Sequence, residues 1–234
     1  MSTSKALLEL LEKYDFKDLE NYPNVGINRK DKVEEFSYSG NFFLRNRNAR
    51  LLITPDAVAE TEKCAADFFY FAEHYIKIET IDKGIVPFTL RDWQIDTVKA
   101  IDEFLKIVLN VARQSGKSTV IVAYILWLLV FEGDLKYGIV ANKSELTSEL
   151  MTMLKNMYML LPPFLQHNII KWNARSIELS NGGKVVSAVA GPSALRGQTI
   201  SFLLCLSGDT EINVLDTSDD SIINTTMEEL YNLL

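Results

Sequence analysis

Residues 112–119 could hold a chain of phosphates, because they read Ala-Arg-Gln-Ser-Gly-Lys-Ser-Thr. The glycine lets backbone N–H groups approach phosphate oxygens, Lys117 offsets the charge of the β- and γ-phosphates, and the Ser118 hydroxyl reaches Mg²⁺. The run follows a short β-branched segment, 106–111, and leads into a thoroughly apolar one, 119–131. A strand, a loop and a helix in this order frame a Walker A phosphate loop. We therefore predict that this loop binds ATP with Mg²⁺.

Two polar side chains near the loop extend the predicted nucleotide site. Arg113 is either a surface arginine paired with a helix acid or a cation that stabilises the transferring phosphate. Gln94 is either a helix surface residue or an amide that bonds to the adenine edge, and a phosphate loop downstream favours adenine. The predicted nucleotide contacts are Gln94, Arg113, Gln114, Ser115, Gly116, Lys117, Ser118 and Thr119, with Ser118 as the Mg²⁺ contact.

The sequence departs from the pattern of a nucleotide-hydrolysing protein at Cys205. This residue follows the apolar run Ile-Ser-Phe-Leu-Leu at residues 200–204. In a nucleotide-hydrolysing protein such a strand is expected to end in metal-binding acids. The sequence instead continues as Cys-Leu-Ser-Gly-Asp-Thr-Glu-Ile. Taken alone, a cysteine at this place is most simply a small buried residue of a strand.

Periodicity predicts the elements that position these residues. Apolar residues at helical spacing predict helices at 5–14, 57–75, 91–104, 119–131 and 143–160. Runs of β-forming residues predict strands at 76–80, 86–89, 106–111, 136–141, 169–179 and 184–190, with a hairpin turn at Asn181-Gly182. Residues 18–55 are polar and irregular. Alternation of strands and helices after residue 100 predicts a three-layer α/β sheet.

The net charge of −7 lies entirely in residues 205–234, which hold seven acidic residues and no Lys or Arg. The other 24 acidic residues of the chain are balanced by 24 Lys and Arg. This acidic tail is either a solvated terminus or a docking segment for a basic partner, since complementary charge speeds encounter. A hydrophobic content of 47% is enough for a real core and argues against wholesale disorder.

Several classes of protein are excluded by simple counts. Cys64 and Cys205 give neither a disulfide framework nor metal-ligand spacing. The longest apolar stretch, 120–131, is far shorter than the roughly 20 residues that span a bilayer, and the amphipathic N-terminus does not resemble a signal peptide. We therefore expect a soluble intracellular protein with no membrane partner. His74 and His167 are expected to be ordinary structural or surface residues.

Four separated segments resemble the large terminase subunit of tailed phages, in the same order along the chain. They are residues 64–78 (CAADFFYFAEHYIKI), 82–94 with PFTLRDWQ at its end, the loop ARQSGKST, and 194–204 (ALRGQTISFLL), which leads to the Walker B strand. The resemblance implies a RecA-like P-loop NTPase fold, here incomplete, and a motor that packages double-stranded DNA with a small terminase subunit and a portal in the host cytoplasm. It also implies that Gln94 binds adenine and that Arg113 and Lys117 face the phosphates.

The octet that starts at Cys205 resembles the first conserved block of inteins, with its Gly-Asp-Thr motif. That resemblance implies that the Cys205 thiol attacks the Leu204 carbonyl and forms a thioester. Residues 205–234 contain no histidine and no C-terminal His-Asn, and 30 residues are too few for the β-rich intein fold. Strands at 211–215 and 221–224 and a short helix from Thr225 are expected there.

Together these observations predict three parts: an N-terminal helical or irregular segment at 1–56, part of a terminase ATPase domain at 57–204, and a split-intein fragment at 205–234. A separate chain would carry the larger intein piece and the terminase remainder, and trans-splicing would join the two terminase halves. The chain itself is expected not to hydrolyse ATP at a useful rate. The alternatives are a stand-alone ATP-binding packaging module without splicing activity, and a truncated product without function.

Overall fold

A mixed five-stranded sheet organises the part of the chain that the structure describes. The structure is a computed structural model. It describes residues 25–26, 37–80, 82–109, 111–112, 115–191, 194–206, 211–216 and 221–226. At residues 25, 26, 42, 52, 206, 211–216 and 221–226 this description covers the backbone alone. The helix predicted at 5–14 lies outside the described residues.

Short paired strands and three helices precede the central sheet. In chain order these elements are β1 (Val25–Gly26), β2 (Ser37–Tyr38), β3 (Asn41–Arg45), β4 (Leu52–Ile53), α1 (Pro55–Ala66), α2 (Phe68–Tyr75), β5 (Lys77–Thr80), β6 (Gly84–Pro87) and α3 (Asp92–Glu103). Strand β1 pairs with β4 and β2 pairs with β3, so the region expected to be irregular contains short antiparallel ladders. The predicted hairpin of β5 with β6 is confirmed.

The second half of the chain contains the sheet and two long helices. Its elements are α4 (Lys117–Phe131), β7 (Lys136–Ala141), α5 (Ser144–Met159), a 3₁₀ turn (Pro163–Leu165), β8 (Ile169–Asn173), β9 (Ser176–Leu179), β10 (Lys184–Val189), β11 (Phe202–Leu206), β12 (Glu211–Asp216) and β13 (Ser221–Thr226). Strands β12 and β13 form an antiparallel hairpin, as predicted for the tail, although β13 continues through the position where a helix was expected to begin.

The sheet has the order β11-β7-β10-β9-β8, in which β11, β7 and β10 run parallel and β9 and β8 are antiparallel additions. Paired residues of neighbouring strands point to the same face. One such row crosses the whole sheet: Phe202, Tyr137, Val185, Ile177 and Trp172.

Both long helices pack on the face that this row defines. The Tyr124 ring of α4 lies 5.8 Å from the Phe202 ring, and the Tyr158 ring of α5 lies 5.5 Å from the Trp172 ring. The structure therefore confirms an α/β fold, in which α4 and α5 pack on one face of a mixed sheet. A third layer stays a prediction.

Helix α4 is buried on nearly all sides, which explains why its sequence is apolar throughout rather than amphipathic. Its few polar groups bond to its neighbours. The Tyr124 hydroxyl donates to the Asp102 carboxylate of α3 at 2.5 Å, and the Trp127 indole donates to the Cys64 carbonyl of α1 at 2.8 Å. Among the described helices, none is both long and apolar enough to cross a membrane.

The helix predicted at 57–75 is two helices, because Asp67 interrupts it. Asp67 has an extended backbone, and its side chain accepts a hydrogen bond from the Phe69 backbone N–H at 2.7 Å. Aspartate is a preferred N-cap residue, so it ends α1 and begins α2 at a new angle. Thr54 caps α1 in the same way, through a bond from the Ala57 N–H at 3.3 Å.

The buried strand predicted at 106–111 is wrong. Its described residues form no strand, and Val108 is half exposed. Leu105, just before it, is 97% exposed. A β-branched run becomes a strand only when its backbone groups pair with a neighbour. The part of the chain that the structure describes offers this segment no ladder partner.

His167 makes the stability of the fold depend on pH. Burial lowers the pKa of its imidazole, with a smaller contribution from the nearby Arg45 charge, while a 2.8 Å hydrogen bond from Nε2 to the Val130 carbonyl opposes the shift. The unfolded chain therefore binds a proton that the folded chain does not, between the lowered folded pKa and about 6.5. Stability falls as the pH falls through this interval.

We expect the free energy of unfolding to decrease below about pH 6.5 by about 1.4 kcal/mol for each unit that separates the two pKa values. Urea unfolding at closely spaced pH values measures this slope. His167→Gln should remove it, and His74→Gln, at the other histidine of the chain, is the matched control that should retain it. A slope that is unchanged in His167→Gln would show that another group is responsible.

Candidate nucleotide site

The predicted phosphate loop, residues 112–119, contains a residue with a left-handed backbone. Gly116 has φ of 93° and serves as the N-cap of α4, which begins at Lys117. The first hydrogen bond of the helix runs from the Val120 N–H to the Gly116 carbonyl at 3.2 Å. The backbone N–H groups of the first helical residues therefore lack helix partners and present partial positive charge at the predicted site.

This helix start lies at the carboxyl edge of the parallel strands. Helix α4 connects to β7 through the short turn 132–135, and the Tyr137 hydroxyl of β7 donates to the Leu128 carbonyl at 3.1 Å. Because the helix packs on the strand that follows it, the two run in opposite directions. The start of α4 and the ends of β7, β10 and β11 therefore lie on the same side. Ligands of open α/β sheets bind at this edge.

The start of helix α3 contacts the loop through two side chains, that of Gln94 in the first turn and that of the N-cap residue Arg91. The Gln94 amide accepts a hydrogen bond from the Arg91 backbone N–H at 2.9 Å and donates to the Gly116 carbonyl at 3.2 Å. The Arg91 guanidinium donates to the Ser115 carbonyl at 3.2 Å. Gln94 is only 3% exposed. The structure therefore brings Gln94 to the loop, and its predicted contact with adenine stays a prediction.

Two features of the loop fit a phosphate chain. The Ser115 hydroxyl oxygen is buried and has no hydrogen-bond partner among the described atoms. Gly116 leaves little room for a side chain, since a Cβ atom there would lie 3.0 Å from the Gln94 amide nitrogen. A buried hydroxyl without a partner beside a helix N-terminus is suited to an anionic ligand.

The other predicted nucleotide contacts divide into two groups. Lys117, Ser118 and Thr119 occupy the first turn of α4 and are half-buried. Arg113 and Gln114 lie outside the described residues. The described part of the chain contains no cluster of three or more His, Cys, Asp or Glu residues that could hold a metal.

The predicted splice junction lies inside β11, which runs without interruption through it. Leu204 pairs with Ile139 and is 5% exposed, whereas Cys205 pairs with Val140 and is exposed. The strand thus points the Leu204 side chain into the core and the Cys205 side chain toward solvent.

The other cysteine has a very different setting. Cys64 is fully buried in α1, and burial raises the pKa of its thiol to about 12. Such a thiol is a poor nucleophile, because only the thiolate attacks readily. Of the two cysteines, Cys205 alone is exposed.

Arg91 is a site residue that the sequence analysis missed. The available signal was its position three residues before Gln94 at the start of a helix, where the first turn can reach back to the cap residue. Its contact with Ser115 joins residues 24 positions apart, and sequence spacing alone does not predict such a contact.

Comparison with known proteins finds a family model that matches part of this chain. Residues 108–205 match the family model described as terminase large subunit, T4likevirus-type, N-terminal. The match covers less than half of the chain but includes the phosphate loop, α4, β7, α5 and β11. The chain thus contains a segment similar to the N-terminal portion of a terminase large subunit.

A crystal structure of the large terminase of bacteriophage HK97 has a similar fold. The TM-score is 0.51 at 17% sequence identity, and the match covers 73% of this chain and 35% of the HK97 chain. At this identity the likeness shows the fold alone. The matched part of this chain therefore spans about a third of the length of that terminase.

Proposed function

We propose that this chain is the nucleotide-binding part of a phage DNA-packaging ATPase and binds ATP through its phosphate loop. The observation that carries the proposal is the left-handed Gly116 at the start of α4, inside the segment similar to terminase large subunits. The nearby buried Ser115 hydroxyl supports an anionic ligand. The proposal includes the fold of a P-loop NTPase, with a third layer on the sheet.

The loop residues would divide the work of holding ATP and Mg²⁺. Backbone N–H groups at the start of α4 would bind phosphate oxygens, Lys117 would offset their charge, and Ser118 would reach the metal. Arg113 and Gln114 remain proposed contacts, with Arg113 stabilising the transferring phosphate after reconstitution. Bound ATP supplies a γ-phosphoryl group whose transfer needs acidic residues at the end of a neighbouring strand. Strand β11 ends Leu-Leu-Cys-Leu, without an acid.

We expect the purified chain to bind ATP without hydrolysing it at a useful rate. Titration with a fluorescent ATP analogue measures binding, and phosphate release measures hydrolysis. Saturable binding with phosphate release at the background rate supports the proposal. Phosphate release at the rate of an ordinary enzyme would contradict the claim that hydrolysis needs an acidic residue that the described part of β11 lacks.

We further propose that residues 205–234 are the N-terminal fragment of a split intein. The support for this proposal is the octet that begins at Cys205, which resembles the first conserved block of inteins. In the first step the Cys205 sulfur attacks the Leu204 carbonyl carbon. A C–S bond forms, the C–N bond breaks, and the thiol proton ends on the Cys205 nitrogen, which becomes an amine.

The paired strand around the junction opposes this step, because a planar, extended peptide holds the thiol away from the carbonyl of the preceding residue. Splicing would therefore require the end of β11 to separate from β7. The partner chain, carrying the larger intein piece and the terminase remainder, would bind the acidic tail and favour this separation. The joined product would then package double-stranded DNA with a small terminase subunit and a portal in the host cytoplasm.

The continuity of β11 also favours a second candidate, a stand-alone ATP-binding packaging module that does not splice. Leu206 pairs with Ala141, so the strand extends past the proposed junction without a break. Mixing this chain with the partner and recording intact masses separates the two candidates. A ligated product that lacks residues 205–234 supports splicing, and saturable ATP binding without ligation supports the module.

A further inference from the structure

We propose that Arg91 and Gln94 form a clamp on the phosphate loop, and that this clamp sets the affinity for the phosphate chain whatever base is attached. The inference rests on the proposed nucleotide-binding function and adds positioning residues to that site. We call these two side chains the loop clamp. Arg91 donates a hydrogen bond to the Ser115 carbonyl and Gln94 donates one to the Gly116 carbonyl, each at 3.2 Å.

The clamp acts through the planarity of the peptide bond. In a trans peptide the C=O and the N–H of the same unit point in opposite directions. The Ser115 carbonyl shares its peptide plane with the Gly116 N–H, and the Gly116 carbonyl shares its plane with the Lys117 N–H. Holding both carbonyls toward α3 therefore turns both N–H groups away from α3, where phosphate oxygens can reach them.

The loop needs such support because its own residues permit many conformations. Gly116 has φ of 93°, in the left-handed region that glycine enters freely, and glycine loses more conformational freedom on ordering than any other residue. The Gly116 carbonyl is held twice, by the Val120 N–H at 3.2 Å and by Gln94. A loop already ordered before ligand binds avoids that cost at the moment of binding.

Burial makes the Gln94 bond dependable. At 3% exposure, little water can compete for the amide, and its oxygen is fixed by the Arg91 N–H at 2.9 Å. That bond also orients the amide, because it identifies the oxygen and leaves the nitrogen facing Gly116. The Arg91 side chain is exposed, so its contribution should be smaller.

The test uses the full chain and three ligands: ATP, GTP and inorganic tripolyphosphate, each with Mg²⁺. Gln94→Glu keeps the acceptor for the Arg91 N–H and replaces the donor to Gly116 with a carboxylate. We expect it to weaken the binding of all three ligands by at least about tenfold, because it removes one hydrogen bond and adds a negative charge near the phosphates, and to leave the ratio of ATP to GTP affinity unchanged. Arg91→Ala should weaken all three by about threefold without changing the melting temperature.

Gln166→Glu is the matched control. Gln166 is another buried glutamine, 5% exposed, whose amide donates to the Tyr158 and Leu161 carbonyls at 3.2 Å and 2.9 Å. Its substitution should lower the melting temperature and leave tripolyphosphate affinity unchanged, which separates positioning of the loop from general destabilisation.

Two results would overturn the clamp. The first is loss of ATP affinity alone in Gln94→Glu, with tripolyphosphate bound normally, because that pattern belongs to a residue that contacts only the base. The second is unchanged tripolyphosphate affinity in both Gln94→Glu and Arg91→Ala. Failure of the unaltered chain to bind any of the three ligands would refute the proposed nucleotide site itself, and is distinguishable from both.

Discussion

Replacing Cys205 by alanine is expected to abolish the ligated product entirely when the chain is mixed with its proposed partner. Alanine keeps a small residue in β11 but has no nucleophile, and nothing else in residues 205–234 can form the thioester with Leu204. Intact mass spectrometry of the mixture over time measures the product. The ligated chain should form with the unaltered protein and be absent with Cys205→Ala.

Cys64→Ala is the matched control for this experiment. Cys64 is the other cysteine of the chain, and burial raises the pKa of its thiol to about 12. Removing it should leave the ligation rate unchanged, even if the loss of a buried sulfur lowers stability modestly. Ligation by Cys205→Ala at the normal rate would eliminate Cys205 as the nucleophile, and with it the split-intein proposal.

The state of β11 during splicing gives this prediction a structural counterpart. In the chain alone, the backbone amides around the junction are paired with β7 and should exchange slowly with deuterium. If partner binding separates β11 from β7, the backbone amides of residues 204–206 should exchange faster with deuterium when the partner is added to the Cys205→Ala variant. This variant is used because it cannot proceed to product. Slow exchange that persists in that complex would mean that the strand does not separate.

Elements fixed by local patterns were predictable from the sequence. Strand β7 has the predicted bounds, and α5 differs from prediction by one residue at each end. The hairpin at Asn181-Gly182 also formed, and Gly182 adopts the positive φ, 83°, that such a turn favours. In these cases the residues that define the element also determine its neighbours.

Elements that depend on distant partners were not predictable. The run 106–111 has the composition of a buried strand, yet composition cannot supply the neighbouring strand that its backbone must pair with. Asp67 carries a preference for helix N-caps, but the apolar periodicity on both sides of it favoured one continuous helix. In the candidate site, the type and order of the loop residues were readable, whereas the contacts of Arg91 and Gln94 depend on how α3 packs beside the loop.

Replacing Lys117 by alanine is expected to weaken ATP binding by between about tenfold and 100-fold. The ammonium group would make charge-assisted hydrogen bonds to the phosphates, each worth about 1.5–3 kcal/mol. The fold should survive, because Lys117 is the first residue of α4 and alanine is the best helix former. The effect should therefore fall on binding and not on the stability of the free chain.

Thermal unfolding with and without ATP and Mg²⁺ measures both quantities in one experiment. At a ligand concentration of about 100 times Kd, binding stabilises the folded chain by about 2.7 kcal/mol, which raises the melting temperature measurably. Lys117→Ala should melt at the normal temperature without ATP and lose about half of the ATP-induced rise or more. Lys83→Ala, at an exposed lysine in the turn between β5 and β6, should retain the full rise. An equal rise in both variants would remove Lys117 from the proposed site.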